Sequence, residues 1–236
     1  MTLEASFEHC ARVSRQRARN FYYSFLALPK QKRLAMCALY AFMRECDDLS
    51  DEAGATLSAL DTWRADLDAS LDGRMASHAV WPALIDTVHR YRIPPRYLHE
   101  MIDGVSSDLT PHRVETFDDL YRHCYLVASV VGITTIHVFG FDSPEAVPLA
   151  EKCGIAFQLT NIIRDVKEDA QLGRVYLPAE DLARFHVAPE SLSGALTPEL
   201  RRLLEFEAAR ARRLYDESLP LLRMIHSDSR AALWAL

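Results

Sequence analysis

The sequence predicts an all-α fold in a single domain, and three observations lead there. Apolar residues recur at helical spacing along nearly the whole chain. No alternating pattern runs far enough to mark a sheet. Only 8 glycines occur in 236 residues, too few for a turn-rich β protein. A composition that is 49% hydrophobic and 25% charged supplies ample core for a globular chain.

The elements follow in order. Residues 4–19 are expected as a first helix, with SFEHCARVSRQRARN its polar-rich portion. Pro29 opens a long helix over about 30–50. In LSALDTWRADLDASL, Leu57, Leu60, Trp63, Leu67 and Leu71 sit on one face, which gives a helix over 56–72. Segments 78–91, 95–107, 117–139 and 144–171 carry the same period, punctuated by Pro94-Pro95, Thr110-Pro111 and Ser143-Pro144. Pro178 starts a short helix, and Thr197-Pro198 caps and opens one running to about Met224. No linker or repeat divides the chain, so 1–236 reads as one helical bundle.

Charge and motifs narrow the function. A net charge of −6 argues against nucleic acid as the main partner. Five widely spaced cysteines with no C-x-x-C read as free, buried thiols of a reducing, cytoplasmic compartment. The run YLVASVVGITTIHVFGF holds His137, glycines and threonines, and reads as a core segment rather than a membrane span. P-loop, H-E-x-x-H and EF-hand patterns are absent from the sequence. His89, His99 and His123 are expected near helix surfaces, and His137 in the core.

Two acidic stretches stand out because both lie on apolar helices. In RECDDLSDE, Asp47, Asp48 and Asp51 share one side of a helix, surrounded by Leu39, Phe42, Met43, Cys46 and Leu49. In QLTNIIRDVKED, Asn161, Asp165 and Asp169 recur every fourth residue among Phe157, Leu159, Ile162, Ile163 and Val166. Two carboxylates about 5 Å apart at an effective dielectric of about 20 repel by roughly 3 kcal/mol. Protonation or bound cations must relieve several such pairs. Oxygen donors without His or Cys suit Mg²⁺, which completes its shell with water and phosphate oxygens and so points to a diphosphate substrate. Arg44 and Arg164 are placed either to neutralise the acids or to hold phosphate through their planar forks. Tyr40, Tyr125 and the aromatics of FYYSF are placed either in the core or around a cavity, where their faces steady a carbocation.

At these residues the chain resembles the squalene/phytoene synthase family. Asp47-Asp48-x-x-Asp51 matches the first aspartate-rich motif of that family. Asn161-x-x-x-Asp165-x-x-x-Asp169 matches the second, followed by GRVYLP, and CYLVASVVG (124–132) and IDGVSSDLTP (102–111) match further segments. The resemblance implies an isoprenoid-synthase fold with a central cavity. It also implies head-to-head condensation of two isoprenyl diphosphates through a cyclopropyl diphosphate. By match, Asp47, Asp48, Asp51, Asn161, Asp165 and Asp169 bind Mg²⁺, for which Mn²⁺ can stand in. Arg44, Gln158, Arg164, Arg174 and Tyr176 contact diphosphate, and Tyr40, Asp108 and Tyr125 line the reaction region. FYYSFLALP and DDLSDE most resemble bacterial members that make presqualene diphosphate or squalene from farnesyl diphosphate, the latter with NADPH. Phytoene synthases acting on geranylgeranyl diphosphate share much of this. Where many members carry Ser-x-Ser as a phosphate contact, this chain has Ala18 and Asn20, and Asn20 is the candidate donor. The rivals are a terpene cyclase or head-to-tail prenyltransferase, and a non-catalytic assembly protein, which is expected to lose motif acids that are all present here. Long prenyl chains imply contact with a membrane surface without a span. RAALWAL exposes large apolar residues with no Gly or Asn cap, and the resemblance places further helices beyond it, so the domain is expected to lack its C-terminal helices.

Overall fold

The computed structural model describes residues 1–51, 57–109 and 114–235, with the side chains of Arg19, Asn20, Phe21, Asp51 and Asp108 outside that description. Asn20, Asp51 and Asp108, proposed above as site residues, therefore lie outside the described side chains, as does the Thr110-Pro111 break. Among the described residues the only extended pairing is a single bridge between Phe141 and Ile225.

The chain runs α1 (Leu3–Arg17), α2 (Arg19–Phe25), α3 (Lys30–Asp51), α4 (Leu57–Leu71), α5 (Trp81–Tyr91), α6 (Pro95–Asp108) and α7 (Phe117–Cys124). A π-helical turn (Tyr125–Ser129) then leads into α8 (Val130–Phe139), followed by α9 (Ala146–Gln171), α10 (Ala179–Arg184), α11 (Pro198–Ser218), α12 (Leu221–Met224) and α13 (Arg230–Ala235). The caps are legible. Thr2 accepts from the Ala5 N–H, Thr116 and Asp119 form a capping box, and Thr197 accepts from Leu200 with Pro198 in the first turn.

Three boundaries and the winding of one helix differ from the sequence expectation. The first helix stops at Arg17, because Ala18 leaves helical geometry (φ −93°, ψ 30°), and FYYSF forms the separate α2, which packs against α13. The expected 78–91 helix starts at Trp81, because residues 78–80 are spent on side-chain bonds. His78 accepts the Val80 N–H (3.3 Å), and the Ala79 carbonyl accepts from the Ser6 hydroxyl (2.6 Å). The expected 198–224 helix breaks after Ser218, where Pro220 has no N–H to continue it. The 117–139 helix is continuous but locally under-wound by the π turn, in which the Val130 N–H reaches back to the Tyr125 carbonyl.

The helix Phe117–Phe139 is long and apolar enough to cross a membrane, yet over half of its most apolar window is buried inside the fold. It is the axis of the bundle: α3 packs on α8, while α6 and α9 pack on both the π turn and α8. Two glycines allow this closeness. A Cβ on Gly104 of α6 would stand 2.8 Å from the Leu126 carbonyl oxygen, and one on Gly154 of α9 would stand 2.4 Å from Ser129 Cα. Two apolar clusters result, one built on α1, α3–α6 and α8, the other on α7 and α9–α11, and Tyr125 packs against both. All five cysteines are free; Cys10, Cys37, Cys46 and Cys124 are buried and Cys153 is half-buried. Trp234 is 75% exposed, while Ala232 beside it is buried.

Candidate functional site

On α3, helical spacing puts Met43, Cys46 and Asp47 on one face. With Met101 and Val105 of α6, and Leu126, Val127 and Val131 of the π turn and α8, they line a cavity of about 440 Å³ counted with its open mouth. Its wall is apolar except for Asp47. One turn along, the Arg44 guanidinium forms a close ion pair with Asp48, and Arg17 of α1 approaches the same carboxylate at 3.6 Å. Arg44 thus neutralises its own motif. Its Nε is buried and donates to no group among the described residues, so one donor of the fork stays available for an acceptor. Tyr40 is half-buried beside these charges, and burial raises its phenol pKa while Arg44 opposes the rise.

On α9, Asn161 donates to Gln158 at 3.3 Å, and Arg164 donates to both oxygens of Asp165 at 2.6 and 2.5 Å. That pairing holds the Asp165 carboxyl below its ordinary pKa. The helix ends in a tight reversal at Gly173 (φ 75°), and the Asp169 carbonyl accepts from the N–H groups of Leu172 and Arg174. The reversal brings Asp169, Arg174 and Tyr176 around one shallow cleft of about 180 Å³, floored by Ile162, Val166, Val175, Leu177 and Leu192. Tyr176 stacks on His123, with centroids 5.0 Å apart. The surface position expected for His123 is therefore wrong: it is buried, because α7 turns it inward against the GRVYLP segment.

Between the two acidic helices lies the π turn. The Tyr125 hydroxyl donates to Glu100 of α6 (2.8 Å), and Tyr121, one turn earlier, donates to Glu151 of α9 (2.7 Å). Burial first, then each glutamate, pushes both phenols well above the ordinary tyrosine range, so both remain protonated donors. π turns recur at functional sites because the extra residue re-aims neighbouring side chains, and here Leu126 and Val127 are turned into the cavity beside Met101.

The site residues thus form two groups. Tyr40, Arg44, Asp47 and Asp48 follow one another along α3 with Asp47 at the cavity, and Gln158, Asn161, Arg164, Asp165, Asp169, Arg174 and Tyr176 gather along α9 and its reversal. Asp47 and Asp169 open onto different concavities, and Tyr125 stands between the groups. Sequence reasoning missed Arg17, Glu100 and His123. The basic run RQRAR signals the first; partners contributed from another helix left no local signal for the others.

The donors fit a hard divalent cation: all are carboxylate or amide oxygens, and the pairing arginines show that these carboxylates demand positive charge. An all-α bundle with two carboxylate-bearing helices, one of them at an apolar cavity, fits the class of prenyl-diphosphate-handling synthases. The sequence model of the squalene/phytoene synthase family matches residues 14–236, and the chain belongs to that family. It is 34% identical to the 15-cis-phytoene synthase of Synechococcus elongatus, covering 99% of this chain and 81% of that protein. It is 36% identical to phytoene synthase 1 of Arabidopsis thaliana, covering 99% of this chain but 57% of that one. Among solved structures it superposes on a dehydrosqualene synthase (TM-score 0.90, 33% identity, 99% and 84% covered). It also superposes on squalene synthase HpnC of Alicyclobacillus acidocaldarius (TM-score 0.92, 29% identity, 99% and 89% covered). The all-α isoprenoid-synthase fold and the prenyltransferase class expected from the sequence are both met; members of this family join prenyl groups head to head.

Proposed function

We propose that this chain condenses two farnesyl diphosphates head to head, giving presqualene diphosphate and, with NADPH, squalene. The observation that carries this reading is the apolar α3–α6–π-turn cavity with Asp47 at its edge and the Arg44–Asp48 pair one turn on. A prenyl tail fills such a wall, and its diphosphate meets the charged rim.

Asp47, Asp48, Asp51, Asn161, Asp165 and Asp169 would hold Mg²⁺, which when bound would neutralise charge on the departing diphosphate. Arg44 offers its unpartnered Nε, and Arg164 and Arg174 their forks, to phosphate oxygens. Met43, Met101, Val105, Leu126, Val127 and Val131 exclude water from the allylic cation. The Tyr125–Glu100 bond fixes the phenol between the two acidic helices. Tyr23, Leu26 and Leu172, all exposed, suit a membrane surface where such tails partition.

A second reading, phytoene synthesis from geranylgeranyl diphosphate, is favoured by the names of the curated relatives at 34–36% identity. Competition between the two diphosphates, with products separated by chain length, decides. A C30 product in excess supports the proposal, and a C40 product in excess replaces it with the second reading.

A further inference from the structure

Glu45 also lies on α3, two residues before Asp47 and therefore roughly 200° around the helix from it. It points away from the α3 cavity, toward His9 of α1 and His78 of the segment before α5. The Glu45 Oε2 lies 3.7 Å from His78 Nε2, and one ligand atom from each of the three residues lies within 4.8 Å of the others. The two imidazoles meet edge to face at 5.9 Å, and Trp63 packs against His78 at 5.2 Å. His9 Nε2 is buried and bonds to no group among the described residues. A buried imidazole nitrogen without a partner costs free energy unless something comes to meet it.

We propose that His9, Glu45 and His78 form a second metal site, distinct from the aspartate motifs, that takes Zn²⁺ or a similar borderline divalent ion. Two imidazoles and a carboxylate are a donor set that zinc accepts and Mg²⁺ does not favour. Donors around a tetrahedral zinc stand about 3.3 Å apart, so the present spacing closes with small side-chain rotations. Burial first, then His78, lowers the proton affinity of His9 against the opposing pull of Glu45, which favours the neutral ring a metal needs, while Glu45 supplies the compensating charge.

One contact must open. His78 Nδ1 accepts from the Val80 N–H at 3.3 Å, whereas an Nε2-bound metal requires a proton on Nδ1. The site is therefore weaker than a fully preformed zinc centre. Filled, it ties α1 and the segment before α5 to α3, the helix that carries Arg44 and Asp47.

Cobalt substitution tests this on the full chain stripped with EDTA. Four- or five-coordinate Co²⁺ at a nitrogen-containing site gives visible absorption bands, whereas octahedral Co²⁺ on carboxylates absorbs far more weakly. The expected result is one equivalent of strongly absorbing Co²⁺ per chain, displaced by Zn²⁺ and untouched by excess Mg²⁺. His78→Gln should abolish the bands in a chain that still unfolds cooperatively without metal, and Asp48→Asn should leave them intact. Absence of the bands from the unsubstituted protein, or their survival in His78→Gln, overturns the proposal.

Discussion

Gly154→Ala tests whether the close seat of α9 on the π turn holds the second acidic helix in place. The added Cβ would lie 2.4 Å from Ser129 Cα and 2.8 Å from both its N and its Oγ. Two of those atoms are backbone, and the Ser129 hydroxyl is itself tied to the Glu151 carbonyl at 2.7 Å, so no side chain can swing clear. Overpacking of this kind costs about 1–3 kcal/mol. Alanine returns about 0.8–1.0 kcal/mol of helix propensity over glycine, so a net loss near 2 kcal/mol is expected at the upper end of the clash range. For a chain of this length that lowers Tm by roughly 4–8 °C. Gly132→Ala is the control. Its Cβ would meet only the Ala150 carbonyl oxygen, at 3.6 Å, so the propensity gain should appear alone as a small rise in Tm. Asn161, Asp165 and Asp169 ride on the displaced helix, and misplacement by about 1 Å costs on the order of 100-fold in rate. Thermal melts and turnover of both variants check the pair. A Gly154→Ala protein as stable and active as the parent, or indistinguishable from Gly132→Ala, refutes the reasoning.

Further outcomes are expected elsewhere. Asp48→Ala and Asp165→Ala should each abolish turnover with correct folding retained, and near-parental rates in either variant would count against their proposed role. Arg210 bridges Asp181 (2.5 Å) and Glu207 (2.9 Å), two carboxylates almost wholly inaccessible to solvent; Arg210→Met leaves both without their cation and should cost about 3–5 kcal/mol in urea unfolding. Burial pushes the Glu207 carboxyl from 4.5 up to about 7. The folded chain therefore binds that proton more tightly than the unfolded one, and the resulting stability is present below pH 4.5 and lost as pH rises through 7. Glu207→Gln should flatten that slope, as read from unfolding curves across the interval. Vesicle flotation should recover the chain with the lipid, and Leu26→Ser with Leu172→Ser should reduce that fraction.

Helices were legible wherever a single period ran between proline or cap signals, as in α3, α6 and α9, whose limits fall within a few residues of those expected. The sequence reading failed where tertiary contacts override the period. Nothing local announces the π turn, because an extra residue in the helix leaves the apolar pattern of CYLVASVVG readable as ordinary helix, and Gly104 and Gly154 of other helices are what seat closely against it. The delayed start of α5 has the same origin, in Ser6 from a distant helix capturing the Ala79 carbonyl. In the site, spacing placed Asp47 at an apolar wall and put Arg44 in reach of Asp48, since both relations are local to one helix. Arg17 on Asp48, Glu100 on Tyr125 and His123 beneath Tyr176 all cross between elements and have no sequence period. Among the described residues Asp47 and Asp169 line separate concavities, and Tyr125 packs against both apolar clusters.

The most direct measurement of the central claim is the connectivity of the product. Farnesyl diphosphate carrying ¹³C at C1 is incubated with the chain and Mg²⁺, and the product is examined by carbon NMR. Head-to-head joining predicts a one-bond coupling between two labelled carbons within a C30 product, and loss of that product in excess EDTA. A product with the labelled carbons apart, as in head-to-tail extension, or label recovered only in farnesol, would contradict it.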